Sequence, residues 1–257
     1  MPASRRSRHT RHSRLRRIVA WTAASIGAIL ILAIGAFLVW AGIGRMDADP
    51  AAVAALDADP AISVVHEDGA WVMAPAEGAD GTGLVFLPGA KVDAIAYAPT
   101  FRDLAAAGTT VVIPDLPLRF AILETRDLDD FAAYAPEVDR WAIGGHSLGG
   151  VRACQEVSRI PDAALILLAS YCAADLSDGG AEVLSISGTN DGLSTPADID
   201  AASNLLPPTA EMVVIDGANH AAFGWYGVQP GDGEATVSRE QVAREVSARS
   251  RELIAGA

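Results

Sequence analysis

The stretch from Trp141 to Cys154 limits the possible folds of this chain more than any other. It begins as a short apolar run of strand length, breaks at a group of glycines around Ser147, and continues with a helical pattern. Glycines and serines also cluster in ordinary turns, so the glycines alone carry little weight. Because both flanking elements are recognisable, the stretch predicts a strand, a tight turn with one serine, and a helix.

The predicted turn has steric requirements that this sequence meets. A serine between a strand and a helix has a strained backbone, and the residues two before and two after it must be small, as Gly145 and Gly149 are. This arrangement, a nucleophile elbow, raises the serine hydroxyl above the sheet. It also leaves the N–H of Leu148 unpaired at the helix N-terminus, where it can stabilise an oxyanion. The pattern predicts Ser147 as a nucleophile and Leu148 as an oxyanion donor.

The charges are distributed unevenly along the 257 residues. Seven arginines precede Ile18, whereas the rest of the chain carries 12 basic residues against all 32 acidic ones. Phosphate binding needs a clustered basic face, so this acidic body excludes nucleic acid as a partner. The acidic surface is typical of a soluble, exposed domain.

The 27 residues from Ile18 to Gly44 contain no charge. As a helix they extend about 40 Å, enough to cross a bilayer, and Trp21 and Trp40 lie near the two ends, where indoles favour the interface. The arginines before the span place residues 1–17 in the cytoplasm and everything after Arg45 outside. A cleaved signal peptide is the alternative. The apolar region is long for one, and no persuasive cleavage site follows it.

Residues 45–60, rich in Ala and Asp, predict a stalk or a short helix, and residues 61–257 predict one domain. Its expected strands are 62–65, 70–73, 83–87, 109–113, the elbow strand, 164–169, 182–187 and 211–215, and its expected helices are 94–107, 119–134, the elbow helix, 196–206 and 239–254. Strands that alternate with helices and are mostly apolar predict an α/β fold with a mostly parallel sheet covered on both faces.

A serine nucleophile needs a base, and the chain has five histidines. His9 and His12 lie in the predicted cytoplasmic tail, His66 lies in a hairpin, and His146 is fixed beside the serine with its side chain pointing away. His220 follows a predicted strand in a loop of small residues, so elimination and location both favour it as general base.

The acid that orients this base should follow a strand at the same edge of the sheet. Asp191 lies directly after the strand 182–187 and is the first choice. Asp175, beyond the preceding strand, is the second, and Asp216 the third.

The order Ser147, Asp191, His220, each just after a strand, resembles the α/β-hydrolase superfamily. The resemblance covers residues 62–254 and is greatest to the small, lidless, dienelactone-hydrolase-like group, whose motif blocks are similar to residues 88–93, 144–150, 188–196 and 217–227. Two features depart from the pattern. Dienelactone hydrolases use a cysteine nucleophile, and no His-Gly-Gly-Gly block precedes the first helix here. The resemblance then implies that the N–H of Ala90 is the second oxyanion donor.

These residues predict a membrane-anchored serine hydrolase outside the cytoplasm, most simply a carboxylesterase that acts through an acyl-enzyme and needs no cofactor or metal. Two alternatives remain open at this point. One is an envelope acyltransferase with the same triad, and the other is a catalytically silent binding module with the same fold.

Four further residues have two interpretations each. Lys91, the only lysine, either recruits an anionic substrate at the site mouth or is a solvated surface residue. Phe223 either contacts the substrate or packs in the core. Cys154 and Cys172 either form a disulfide, as an oxidising compartment permits, or are buried free thiols.

Overall fold

The computed structural model describes residues 6–157, 159–160 and 164–256, without the side chains of residues 6–15 and 18. The predicted cytoplasmic tail therefore lies largely outside the described side chains. The chain forms two compact units, one that ends at Gly44 and one that begins at Arg45.

The first unit is a single helix, α1, over Arg6–Gly42. Its segment Val19–Gly42 is long and apolar enough to cross a membrane, with a mean hydropathy of 2.4 and none of its most apolar part buried. The side chains of Trp21 and Ile31 are 74% and 72% exposed. An apolar surface of this extent needs a nonpolar environment.

The second unit is built on one sheet of eight strands. The strands are β1 Ile62–Glu67, β2 Ala70–Pro75, β3 Thr82–Leu87, β4 Thr110–Pro114, β5 Arg140–His146, β6 Ala164–Leu168, β7 Glu182–Gly188 and β8 Glu211–Ile215. Their order in the sheet is β1-β2-β4-β3-β5-β6-β7-β8. The first two strands form an antiparallel hairpin, β2 pairs antiparallel with β4, and the strands from β4 to β8 in this order are parallel. The predicted α/β-hydrolase fold is confirmed.

Helices cover both faces of the sheet. They are α2 Pro50–Asp57, α3 Arg102–Ala106, α4 Leu128–Ala132, α5 Leu148–Val157, α6 Pro196–Ala202 and α7 Arg239–Gly256, with short 3₁₀ helices that include Ala94–Phe101 and His220–Phe223. Successive residues of a strand enter opposite cores. Leu84 and Phe86 belong to the same core as Val242 and Val246 of α7, whereas Val85 and Leu87 belong to the core that contains Ala153 and Val157 of α5. Two buried faces explain why the central strands are apolar throughout.

Two segments differ from the expectation. Residues 119–134, predicted as one helix, form a 3₁₀ turn over Ala121–Leu123 and the short helix α4, which begins at a capping box made by Asp127 and Asp130. Because the side chain of Asp127 caps the N-terminus of α4, this helix begins there and does not extend back towards residue 119. The segment 94–107 is helical, but its first eight residues are 3₁₀ and contain Pro99.

The segment expected to be a stalk contains the short helix α2, and it lies in the same compact unit as the domain. Met46 and Ala48 each form a backbone bridge to the domain, to Val92 and Tyr226. Residues 45–60 are therefore docked on the domain along their backbone.

Candidate active site

The turn between β5 and α5 has the geometry of the expected elbow. Ser147 has a φ of 53°, in the left-handed region that a residue with a side chain rarely occupies. A Cβ on Gly145 would overlap the carbonyl group of Gly149, and a Cβ on Gly149 would overlap the carbonyl oxygen of Leu87. These contacts are the physical reason that both positions need glycine.

Two hydrogen bonds hold the strained residue in place. The N–H of Ser147 donates to the carbonyl of Leu168 at 3.1 Å, and the hydroxyl of Ser170 donates to the carbonyl of Ser147 at 2.7 Å. Both partners belong to the end of β6, the neighbouring strand, or follow it closely. The sheet therefore supports the backbone conformation of Ser147 from outside the elbow.

Asp191 and His220 lie together at the same edge of the sheet. Oδ2 of Asp191 is 2.8 Å from Nδ1 of His220, and the two side chains are 0% and 1% exposed. The other oxygen of Asp191 accepts hydrogen bonds from the N–H groups of Leu193 and Ser194, both at 2.8 Å. The second and third choices for the acid are used elsewhere: Asp175 bonds to Ser177 and Asp216 to Thr189.

The second ring nitrogen of His220 has a different environment. Nε2 is buried and has no hydrogen-bond partner among the described residues. The ring of His220 packs against the ring of His146, with centroids 4.4 Å apart, and His146 precedes Ser147 directly. A buried and unpaired imidazole nitrogen next to the elbow can accept a proton from a hydroxyl group.

His146 itself is committed to a structural network. Its Nδ1 lies 2.9 Å from the hydroxyl of Tyr97, and its Nε2 lies 3.1 Å from the carbonyl oxygen of His220. Burial, and next the nearby His220, hold the pKa of His146 well below its usual value, so the ring is neutral. The neutral ring satisfies both contacts in one tautomer, with Nε2–H donating to the carbonyl and Nδ1 accepting from Tyr97.

This network extends to the turn after β3. The hydroxyl of Tyr97 accepts a hydrogen bond from the N–H of Gly89 at 3.1 Å. Tyr97 is fully buried, and burial raises the pKa of its phenol, so it stays a donor to His146. One buried chain of hydrogen bonds thus joins the turn at Gly89, the residue before Ser147, and the backbone of His220.

A second set of contacts holds the loops of Asp191 and His220 together. The carboxylate of Asp232 accepts hydrogen bonds from four N–H groups, those of Gly192, His220, Ala221 and Gly233, at 2.8 to 3.2 Å. Two of these groups are in the loop of His220 and one follows Asp191 directly. Asp232 fixes the distance between the two loops.

The two expected oxyanion donors are Leu148, at the start of α5, and Ala90, in the turn after β3. Among the described residues, the N–H groups of Leu148 and Ala90 have no acceptor. The turn that contains Ala90 approaches the elbow closely, because the carbonyls of Leu87 and Pro88 would contact a Cβ on Gly149. Both amides are available to an anionic oxygen at this edge of the sheet.

The remaining site predictions have different outcomes. Phe223 is fully buried and belongs to the core, so of its two interpretations the structure favours core packing. Lys91 is half-buried next to Ala90 and has a φ of 64°. Cys154 and Cys172 form a disulfide that joins α5 to the segment after β6. Among the described residues, no cluster of His, Cys, Asp and Glu could hold a metal ion.

Sequence reasoning missed two residues of the site, Tyr97 and Asp232, and the structural role of His146. All three depend on contacts between segments that are distant in the chain. The only local signal is at Asp232, which lies between Gly231 and Gly233 in a loop after the base.

The sequence of this site has known relatives. The model of the alpha/beta hydrolase family matches residues 83–244, a range that contains Ser147, Asp191 and His220. The chain belongs to this family. As an α/β hydrolase, it has the fold that the sequence predicted, and the family supports a hydrolase function.

Solved structures with a similar fold include two bacterial proteins. TT1662 from Thermus thermophilus is 13% identical, with a TM-score of 0.56 over 75% of this chain and 98% of that one. A thermophilic esterase from Thermogutta terrifontis is 15% identical, with a TM-score of 0.53 over 75% of this chain and 98% of that one. At these identities the likeness shows the α/β-hydrolase fold alone. No curated protein sequence matches the chain.

Proposed function

We propose that this α/β hydrolase is a membrane-anchored serine carboxylesterase that acts outside the cytoplasm. The observation that carries the proposal is the buried Asp191–His220 pair, with Nε2 of the imidazole unpaired beside the strained elbow of Ser147. A nucleophile, a base and an acid that orients the base are the three groups that acyl transfer through serine requires.

The proposed reaction proceeds through an acyl-enzyme. Ser147 attacks the ester carbonyl while Nε2 of His220 takes the hydroxyl proton. The amides of Leu148 and Ala90 stabilise the oxyanion of the tetrahedral intermediate. The proton then passes from His220 to the leaving alcohol, and water, activated by the same nitrogen, hydrolyses the acyl-enzyme and releases the acid.

Burial of the acid and base supports this mechanism. The carboxylate of Asp191 has two backbone donors on one oxygen and the imidazole on the other, so its charge is fully hydrogen-bonded without water. In a low-dielectric environment this charge strongly stabilises the imidazolium that forms during attack. It also holds His220 in the tautomer with a free Nε2.

Two observations support the location. The helical segment Val19–Gly42 is a candidate span, and the excess of arginine before it favours an outer location for the domain. The disulfide between Cys154 and Cys172 is typical of proteins in oxidising compartments. Both agree with an anchor that leaves the hydrolase domain outside the cytoplasm.

Active-site labelling tests the proposal. We expect a fluorophosphonate probe to label the wild-type chain and a Ser177→Ala control, and p-nitrophenyl acetate to be hydrolysed by both. Ser177 is a surface serine on a turn held by Asp175. Ser147→Ala should lose both signals. Equal labelling of Ser147→Ala and wild type would reject Ser147 as the nucleophile.

A further inference from the structure

The segment that directly follows the candidate span is bonded to two loops of the proposed site. The N–H of Met46 donates to the carbonyl of Lys91 at 2.9 Å, and the N–H of Asp93 donates to the carbonyl of Met46 at 2.9 Å. Three residues later, the N–H of Asp49 donates to the carbonyl of Trp225 at 2.8 Å. We call residues 45–49 the strap, because they connect the turn of Ala90 to the segment that follows His220.

Arg119 fixes the strap from one side. Its guanidinium bonds to Asp47 at 2.9 Å and to Asp93 at 3.1 Å, and it also reaches the carbonyl of Met46. One arginine therefore bridges a carboxylate of the strap and a carboxylate of the turn that follows Ala90. The strap is held by side-chain ion pairs as well as by backbone hydrogen bonds.

The point where the second unit joins the rest of the chain lies close to the turn of Ala90. Within that unit, Arg45 is one residue from Met46, Met46 pairs with Val92, and Ala90 is two residues from Val92. One residue step, one strand spacing and one step of two residues add up to no more than about 16 Å between Arg45 and Ala90. A domain of this size is roughly 45 Å across, so its attachment point is near the site.

Three apolar side chains that are close in sequence to site residues or site strands are exposed on the surface of this acidic domain. Leu148, next to Ser147, is 43% exposed, and Leu193, two residues after Asp191, is 39% exposed. Tyr171, three residues after the end of β6, is 40% exposed. Such side chains suit the boundary between lipid head groups and hydrocarbon better than a purely aqueous surface.

We propose that the substrate is an ester of an amphiphile that resides in the outer leaflet of the same membrane, and that the strap keeps the site at the bilayer surface. This inference rests on the proposed function. The ester group enters the site from the head-group region, Ser147 takes the acyl group as the alcohol leaves with a proton, and water then releases the acid. The hydrocarbon part stays in the bilayer, so the lidless site needs no deep tunnel.

The first test uses the unaltered full chain in phosphatidylcholine vesicles. The probe is p-nitrophenyl palmitate, placed either in the vesicles that carry the protein or in separate vesicles mixed with them. We expect hydrolysis to be at least tenfold faster when ester and protein share a membrane, because the tether confines the site to its own bilayer. Equal rates in the two arrangements would overturn the inference.

The second test lifts the site away from the bilayer. Four EAAAK repeats between Gly44 and Arg45 add a spacer of roughly 30 Å. We expect the rate on vesicle-borne palmitate ester to fall at least tenfold and the rate on p-nitrophenyl acetate to change less than twofold. The same repeats after Ala257 are the matched control, and fluorophosphonate labelling counts the folded sites in each sample.

The outcomes separate the inference from the proposed function. If the wild type cleaves the soluble acetate but not the vesicle-borne ester, or if the spacer leaves the ratio of the two rates unchanged, the substrate is not held at the membrane. If the wild type cleaves neither ester and is not labelled, the proposed esterase function itself fails.

Discussion

The domain contains two His–Asp pairs of nearly equal length in opposite environments. His220 and Asp191 are 2.8 Å apart and at most 1% exposed, whereas His66 and Asp115 are 2.7 Å apart and both 44% exposed. Each of these four residues lies in a strand or follows one, so the local sequence does not show which pair belongs to the proposed site. The distance between imidazole and carboxylate does not show it either.

The surroundings of the two pairs explain why only one is proposed as catalytic. Asp115 and His66 line an open cavity of about 430 Å³ together with Trp71, Asp93 and Arg119, and none of the serines that the structure describes lines it. Water screens an exposed pair, which contributes about 0–1 kcal/mol at most. The buried pair lies next to the elbow, with its charge held by backbone donors. The two pairs therefore differ in the dielectric environment and in the presence of a nearby nucleophile, and not in the distance between histidine and aspartate.

The largest expected effect on kcat is the difference between substitutions of Asp191 and of Asp115. Asp191→Asn removes the charge that stabilises the imidazolium and favours the wrong tautomer of His220, so we expect kcat on p-nitrophenyl acetate to fall about 10⁴-fold. Asp115→Asn, the matched change in the exposed pair, should alter kcat less than twofold. Comparable losses in both variants, with correct folding checked by circular dichroism, would show that the pairs are equivalent.

Asp232 has no counterpart beside the exposed pair, and its loss should be the next largest effect. Asp232→Ala frees four N–H groups and loosens the loops of Asp191 and His220, and a misplacement of about 1 Å costs roughly 10²-fold in rate. We expect the loss in kcat, with KM nearly unchanged. Asp127→Ala removes a similar backbone cap from α4 and is the control. A change in KM with kcat unaltered would contradict a positioning role.

Burial of His146, beside the Asp191–His220 pair, predicts a pH dependence of stability. Its folded-state pKa is lowered, so below about pH 6.5 the unfolded chain binds a proton that the folded chain does not, and stability falls as pH falls. We expect urea unfolding of the domain from Arg45 to show this slope, and His146→Gln to have a shallower one. If the stability of the wild type and of His146→Gln has the same dependence on pH, His146 is not its cause.

The smallest effect concerns the tyrosines near each pair. Tyr97→Phe removes the donor to His146 and the acceptor of the Gly89 N–H, and we expect kcat to fall about tenfold, as the loss of about 1–1.5 kcal/mol implies. Tyr134→Phe removes a hydrogen bond to the carbonyl of Asp68, in the hairpin turn of the exposed pair, and should leave kcat unchanged. A Tyr97→Phe variant with wild-type kcat would show that the buried chain of hydrogen bonds serves stability alone.

Much of the fold followed from local patterns in the sequence. The apolar runs predicted all eight strands. The central ones are apolar along their length because both of their faces are buried. The segment 119–134 was wrong as one helix, because the capping contacts of Asp127 start a new helix inside it. Periodicity alone does not show such a break.

The sequence by itself determined the strained turn at Ser147, because small residues at fixed spacing are a local steric requirement, and it placed Asp191 and His220 at the ends of strands that a parallel sheet brings to one edge. Only the tertiary structure decided that Tyr97 and His146 link the turn of Gly89 to His220, that Asp232 ties two loops, and that residues 45–49 are a strap rather than a stalk. These contacts join single polar groups between segments far apart in the chain. A hydrogen bond of this kind has no periodicity and no preferred spacing, so only the folded backbone determines which groups meet.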